Sequence, residues 1–526
     1  MKIDTKVGIE NFEFEFAFIG SGISSTFTLL HFLEQIKDKP FNVPLRIGIF
    51  DKEKDFFTGI PYGKRSGTSS LLITSLKNFL PQPELGKFII WLTENKISLL
   101  KEFKEEGGEL IREWFSDNRQ AIAENAWEDL FIPRYFFGRY LTQVITQSIN
   151  EYEERKIVKV DLIQLTVENI IPLAQGYEIL GASKSYLANN VIFCIGSPPP
   201  KKVWNKNLNG ENHLNLFADP YNKGMNTTIS EIKKFLETNN NSNFNALIIG
   251  SNASALEVLF MMNDNTYISN RIQKFTFIST HGLLPDSINS KEHNKVFMAR
   301  NLLELENKVD LTAKDIADAA FADLDLAEKM GIGAATSVVP ISKAFGVLLN
   351  KLDKSELEIF ACHFGNEIGR RQRCAGVFYL QTINRLQTLN KFEHIAGRFL
   401  SIVPINSFTY SFKYLDTRSK TEVLYKDPIN IIINCIGSET LNEPISNLYT
   451  NLINSGLCVP NPSYKGFKVN SNFEASNNFY IIGPLLSGNV INNKAVWHVE
   501  HCGRIIAFSK ILGVNLSKSV LYSMEA

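Results

Sequence analysis

Phe16-Ala17-Phe18-Ile19-Gly20-Ser21-Gly22-Ile23-Ser24-Ser25 is an apolar run that ends in two glycines and opens into a segment rich in small residues. Ala246-Leu247-Ile248-Ile249-Gly250-Ser251-Asn252-Ala253-Ser254-Ala255 repeats the pattern later in the chain. An apolar run of this length reads as a strand buried on both faces of a sheet. A side-chain-poor turn after it lets backbone N–H groups and a helix N-terminus approach a pyrophosphate, where the helix dipole favours the anion. One such turn fits a simple dehydrogenase. Two, about half a chain apart, point to a protein that holds a flavin dinucleotide and also takes a nicotinamide.

The surroundings support a nucleotide unit at the first turn. Residues 12–19 alternate Phe and Glu before turning apolar, residues 23–36 carry a helix-compatible apolar face, and a second strand over 45–50 ends at Asp51-Lys52. Strand, turn, helix, strand, acid is the order that gives a glycine motif its meaning. Residues 84–150 read as mostly helical and 157–195 as short strands, ending in Cys194-Ile195-Gly196-Ser197 and a proline brake at Pro198–Pro200. The second unit starts near Asn243, residues 301–395 read as helical, and strands return over about 399–414. Cys435-Ile436-Gly437-Ser438 echoes Cys194-Ile195-Gly196-Ser197, as if each marked the chain's return from a nucleotide unit. Residues 478–484 end in Gly483-Pro484, and 494–512 read as a closing helix carrying His498 and His501. The expected architecture is α/β, with two Rossmann-like dinucleotide-binding domains. Residues 1–215 and 396–526 would form a discontinuous first domain, and 216–395 an inserted second domain with a helical segment.

Composition narrows the partners. The 526 residues suit two or three domains, and 44% hydrophobic with 21% charged residues is ordinary for a globular protein. Lys+Arg and Asp+Glu both number 55, so the overall charge favours neither nucleic acid nor an anionic membrane, and a small-molecule substrate is expected. Six cysteines without metal-ligand spacing or a C-x-x-C pair read as free thiols in a reducing compartment. A core strand begins within about a dozen residues of the amino terminus, and no stretch approaches the roughly 18 apolar residues of a membrane span, so the expectation is a cytoplasmic protein. No metal site is expected, and a homo-oligomer is left open.

These pieces, in this order, resemble the bacterial FAD/NAD(P)-binding flavoproteins of the two-dinucleotide-binding type, related to class B and N-hydroxylating monooxygenases. The resemblance rests on the Gly20-x-Gly22-x-x-Ser25 turn, Phe50-Asp51 followed by Thr58–Gly63, Ile132–Leu141, Ile195-Gly196, Asp219-Pro220-Tyr221, the Gly250 turn, Ser279–Pro285 and Gly483-Pro484. It implies that Gly20, Gly22, Ile23, Ser24 and Ser25 hold the FAD pyrophosphate, with Gly196, Gly483 and Pro484 nearby. It also implies that Asp51, beside Lys52, takes the adenosine ribose hydroxyls as a bidentate acceptor, although a solvated strand-end charge is the alternative. Arg134 would lie near flavin or a substrate carboxylate, or would form a structural ion pair at a helix start. Gly250, Asn252, Ser254 and Ala255 would hold NAD(P)H, with Asn252 replacing the usual second glycine. Thr280 and His281 stand where relatives often carry an arginine for a 2′-phosphate, so neither NADPH nor NADH is favoured. Leu208–His213 only echoes the class B fingerprint, and His213 reads as a loop histidine.

The resemblance implies an FAD-dependent NAD(P)H oxidoreductase. Its leading form is a monooxygenase that oxygenates a small nucleophile, such as an amine, through a flavin C4a-(hydro)peroxide. A flavin-dependent reductase or dehydrogenase without oxygen insertion is one alternative, and a non-catalytic FAD/NAD(P) sensor or pathway partner is another. The cofactor carries the difficult chemistry in the first two, so no catalytic side chain is singled out.

Overall fold

The computed structural model describes residues 12–204, 215–239, 243–288, 297–443 and 446–525. The Leu208–His213 echo lies outside the described residues. Strands β1 (Phe14–Ile19), β2 (Leu45–Asp51), β3 (Val158–Gln164), β4 (Asn169–Pro172), β5 (Tyr177–Leu180) and β6 (Ser185–Phe193) come first. β1 lies between β2 and β6, parallel to both, and Phe16, Ala17, Phe18 and Ile19 are buried there. That central position explains the uninterrupted apolar run, since both faces of the strand are covered.

The second sheet follows along the chain. It contains β7 (Leu216–Phe217), β8 (Phe244–Ile249), β9 (Ile272–Ser279), β10 (Phe392–Asn406), β11 (Thr409–Asp416), β12 (Glu422–Leu424) and β13 (Ile431–Asn434). Their spatial order is β12-β11-β10-β9-β8-β13-β7, with β8 parallel to both neighbours. The chain then returns to the first sheet through β14 (Glu474–Ser476) and β15 (Phe479–Ile481), the latter pairing in parallel with β6. The architecture is thus α/β with two Rossmann-like units, the first discontinuous and the second inserted into it.

Two boundaries differ from the sequence reading. Residues 396–434 do not return to the first unit, because β10 pairs with β9 and β13 with β8, which puts the return after Asn434. Residues 494–512 are not one helix. Asn489–Ile491 and Lys494–Val496 form a hairpin, and the helix starts only at Cys502. Asn492 and Asn493, at φ 50° and 57°, make the two-residue turn. Asparagine tolerates this left-handed backbone, and the primed turns that need it match strand twist. His498 and His501 therefore lie on the approach to the helix, not along it.

Between β9 and β10 the helices Arg300–Glu304, Ala313–Lys329, Val338–Leu348, Lys354–Ile359, Gly365–Arg371 and Val377–Thr388 form the helical segment. Its own apolar core includes Leu302, Ile316, Leu324, Ile341, Leu348 and Phe360, and Trp497 from the first unit packs against it. Helix Cys502–Glu525 lies along helix Ile23–Ile36. Gly513 allows the two helices to approach closely, since a Cβ there would fall 2.9 Å from the Phe32 nitrogen and the Thr28 oxygen.

Candidate functional site

The two glycine turns have one geometry. Gly20 sits at φ +100°, and its N–H donates to the Phe50 carbonyl at 2.8 Å. Gly250 sits at φ +113°, and its N–H donates to the Ile278 carbonyl at 2.8 Å. A Cβ on Gly20 would lie 2.6 Å from the Cys194 carbonyl oxygen, and one on Gly250 would lie 2.5 Å from that of Cys435. The two Cys-Ile-Gly-Ser segments therefore occupy equivalent places, each pressing a carbonyl against the glycine that ends the central strand. Only glycine combines this backbone with this proximity.

Each turn opens a helix with no side-chain cap. Gly22 precedes helix Ile23–Ile36 with φ −78° and ψ −171°, and Asn252 precedes helix Ala253–Asp264 with φ −89° and ψ −169°. Neither first turn contains an acidic residue. The leading N–H groups of both helices are thus left to an outside acceptor, as an anion site requires. The match in backbone also explains Asn252: the position is extended and does not demand glycine. Ser254 hydrogen-bonds with the Tyr221 hydroxyl, and Ala255 is buried beneath the turn. Ser25 meets the Cys194 thiol, which burial pushes far above the usual range.

Asp51 is drawn into the first turn. Its Oδ2 accepts from Ser21 N at 2.8 Å and Ser21 Oγ at 2.7 Å, while Oδ1 accepts from Glu53 N at 3.0 Å. A carboxylate offers about four acceptor sites. Three are taken, so the bidentate ribose contact implied by the resemblance is reduced to one remaining lone pair on Oδ1. Lys52 beside it is exposed. Gly196, at φ +83°, follows Cys194 with nothing within 4 Å of the position a Cβ would take. Gly483 comes from far along the chain to face Ser24, whose Oγ would be 2.8 Å from its Cβ, and Pro484 starts the short turn to Leu486.

Arg134 belongs elsewhere. It pairs with Glu257 and donates from Nε to the Leu71 carbonyl at 3.0 Å. The side chains are 12% and 1% exposed, so this is a buried ion pair, and its two partners lie on helices of different units. Tyr221 also donates to Glu257. Burial raises the Glu257 carboxyl, while Arg134 and the Tyr221 hydrogen bond pull it back. Burial opposes the Arg134 charge, but Glu257 and nearby tyrosines outweigh it and raise the guanidinium. Asp264, at the end of the Glu257 helix, accepts from Gly108 N at 2.8 Å and Ile111 N at 3.0 Å, tying the same helix to the N-terminus of helix Glu109–Asp117. Arg134 thus holds the junction between units. Glu257 and Asp264 escaped the sequence reading, because no local spacing links them to partners more than a hundred positions away.

Residues 17–198 match the FAD-NAD(P)-binding family, which spans the first turn, Asp51 and Gly196. The backbone resembles that of the ornithine hydroxylase PvdA from Pseudomonas aeruginosa in its reduced form (TM-score 0.56, 11% identity, 96% of this chain and 99% of that one). It also resembles L-lysine 6-monooxygenase from Pseudomonas syringae (TM-score 0.55, 12% identity, 96% and 99%) and the ornithine N-hydroxylase of Kutzneria sp. 744 (TM-score 0.54, 10% identity, 96% and 99%). At these identities the likeness is one of fold. Over its sequence the chain is 31% identical to uncharacterized proteins of Mycobacterium tuberculosis H37Rv and Mycobacterium bovis, across 96% of both lengths. The chain therefore belongs to one family with these mycobacterial proteins, and its residues 17–198 match the FAD-NAD(P)-binding family.

Proposed function

We propose that this protein is an FAD-dependent NAD(P)H oxidoreductase of the monooxygenase type that acts on a small amine. The observation that carries the reading is the duplicated turn: two strands, each ending in a left-handed glycine under a carbonyl and each opening an uncapped helix. Gly20, Gly22, Ile23, Ser24 and Ser25 hold the FAD pyrophosphate, with Asp51 and Lys52 toward the adenosine and Gly196, Gly483 and Pro484 closing the site. Gly250, Asn252, Ser254 and Ala255 hold the nicotinamide dinucleotide. Held there, FAD would supply the redox chemistry, hydride acceptance from NAD(P)H and electron transfer to dioxygen.

The chain's own part is positioning. The helix N-termini orient both pyrophosphates, and the pair Arg134–Glu257 fixes the two units against one another so that the dinucleotides meet. Tyr62 and Cys502, buried and hydrogen-bonded to each other, exclude water at the start of the long C-terminal helix. The amine substrate is suggested by fold relatives that include an ornithine hydroxylase and an L-lysine 6-monooxygenase.

The test is the absorption spectrum of the FAD-loaded protein under anaerobic conditions, before and after NADPH and, separately, NADH. Bleaching of the flavin bands followed by hydroxylated product in air with an amine is expected. Bleaching with only hydrogen peroxide across all amines would leave a reductase, and a loaded but unbleached flavin would refute the oxidoreductase reading.

A further inference from the structure

The segment after Asp51 lies on the first glycine turn. Phe57 N–H donates to Ser21 Oγ at 3.4 Å, Thr26 Oγ1 donates to the Phe57 carbonyl at 3.1 Å, and a Cβ on Gly59 would fall 3.2 Å from Gly22 Cα. Tyr62 ends the single helical turn Gly59–Tyr62 that starts at this contact. From Tyr62 a file of rings runs outward. Its ring centroid is 5.3 Å from that of Phe137, and Phe137 lies 5.2 Å from Phe88 and 6.1 Å from Tyr140. Trp91 closes the file, 6.0 Å from Phe88 and 5.7 Å from Tyr140. All these separations are those of aromatic rings in contact. Helices Glu84–Glu106 and Arg134–Glu154 each supply two of the rings at a spacing of three residues, which places both on one face of their helix. Phe88 and Phe137 are fully buried, whereas Trp91 is 9% exposed and donates from Nε1 to Oε1 of Gln143, an exposed side chain, at 2.9 Å. Contacting rings thus join the first glycine turn to the surface.

The two ends of the file treat a proton differently. Tyr62 is buried and donates its hydroxyl hydrogen to the Cys502 sulfur, a weak acceptor. A tyrosine that loses an electron there has no base to take its proton and stays strongly oxidising. Trp91 can hand its Nε1 proton past Gln143 to water, which leaves the oxidised indole as a neutral radical. An electron vacancy made at Tyr62 therefore runs downhill to Trp91. Phenylalanine is too hard to oxidise to hold the vacancy, so Phe88 and Phe137 serve as the packed medium between Tyr62, Tyr140 and Trp91. Trp497 is a poor rival: the Arg504 guanidinium lies over its face at 4.4 Å, which opposes removal of an electron, and its ring contacts are Phe345, Phe360 and His498, outside the file.

On the reading that the first turn holds FAD, we infer that this file is an electron path that drains one-electron oxidising equivalents from the first site to Trp91 at the surface. In the step it carries, Tyr62 gives one electron to the isoalloxazine excited by light, and Trp91 refills Tyr62 by way of Tyr140. The Trp91 Nε1–H bond then breaks as its proton goes to water past Gln143. The flavin ends one electron richer, and the indole ends one electron and one proton poorer. A path of this kind carries oxidising power away from the buried side chains around the first turn.

Transient absorption after a laser flash on the FAD-loaded protein, without NAD(P)H, tests this. The spectrum of a neutral tryptophanyl radical is expected. It should vanish in Trp91→Phe, with the flavin bands recovering sooner because the separated charges lie closer together. It should persist in Trp497→Phe and in Trp114→Phe, whose indole packs in another ring cluster with Phe103 and Phe115. Tyr62→Phe, with FAD retained, should remove it as well. Trp91→Phe keeps a ring in place and gives up only the Gln143 contact, so it reads the path even where Tyr62→Phe fails to fold. A parent without the radical, a radical unchanged in Trp91→Phe, or one lost in Trp497→Phe would overturn the inference. Flavin bleaching by NADPH on the same samples separates the two proposals: bleaching without the radical sinks only this one, and a Trp91-dependent radical without bleaching sinks only the oxidoreductase reading.

Discussion

Breaking the pair Arg134–Glu257 from its two ends should not have equal cost. Glu257→Leu leaves a guanidinium that cannot lose its proton in a site where its side chain is 12% exposed. Removing one partner of a buried ion pair costs about 3–5 kcal/mol. A cooperative unit of 150–250 residues loses about 2–4 °C of melting midpoint per kcal/mol, so the expected fall is about 6–20 °C. Arg134→Met leaves a carboxyl instead, and burial already pushes that group up from its ordinary 4.5. Without the guanidinium it rises further and takes up a proton. A carboxyl whose folded pKa exceeds its unfolded value contributes stability that is complete below the unfolded value and is lost as pH rises through the folded one. Arg134→Met should therefore melt close to the parent at pH 4.5 and below it at pH 7.5, whereas Glu257→Leu is low at both. The double variant Arg134→Met/Glu257→Leu should recover most of the loss, since apolar replacement of a buried pair is often neutral. Melting midpoints followed by far-UV circular dichroism at the two pH values give the answer. Equal midpoints for the two single variants at both pH values, or a double variant as low as the worse single, would refute the reasoning.

Gly20→Ala and Gly250→Ala test the two turns separately. Each puts a methyl within 2.6 Å of a carbonyl oxygen at a positive φ, so Gly20→Ala should abolish FAD retention, while Gly250→Ala should keep FAD and lose reduction by NAD(P)H; the flavin spectrum before and after NADPH reads both. Gly196→Ala meets nothing within 4 Å and should cost only about 1 kcal/mol of backbone strain, seen as a small drop in melting midpoint with FAD retained. His394, 2.8 Å from the Ser279 hydroxyl, is lowered to about 4 by burial, so the stability it contributes is full above its ordinary 6.5 and falls by about 3 kcal/mol as pH drops toward 4. His394→Gln should flatten the fall of the melting midpoint between pH 6.5 and 4, and an unchanged slope would contradict this.

The glycine turns were legible because their constraint is local. A strand buried on both faces needs an apolar run, and a carbonyl pressed against its end needs glycine, so Ile19-Gly20 and Ile249-Gly250 announce themselves. The echo of Cys194–Ser197 in Cys435–Ser438 was legible too, since both segments do the same steric job. The return boundary was misread at residue 396 because β10 is apolar enough for either sheet, and nothing in its residues says that its partner is β9. The hairpin over 489–496 is hidden in the sequence because residues 494–512 read as one closing helix, while its turn rests on Asn492-Asn493, a pair suited to positive φ. Arg134 was recognised as a group needing an anion, yet its partner stands on a helix of the other unit. Asp51 shows the opposite limit: its place at the strand end was clear, but the Ser21 donors that occupy it follow from how the turn folds back.

The packing of helix Cys502–Glu525 along helix Ile23–Ile36, with Ser509 donating to the Ser24 carbonyl at 3.2 Å, sets an order of events during synthesis. The strand and turn that open the first unit leave the ribosome early, but the helix that covers them is made long afterwards. All strands of the second sheet are complete by Asn434. At about 5–20 residues per second, the inserted unit has several seconds to fold before the first unit can be sealed. Until then the first glycine turn is an open face that waits on its cover, and flavin loading becomes an event of the finished chain. A nascent chain stalled short of residue 502 should carry a formed second sheet and no stable first site.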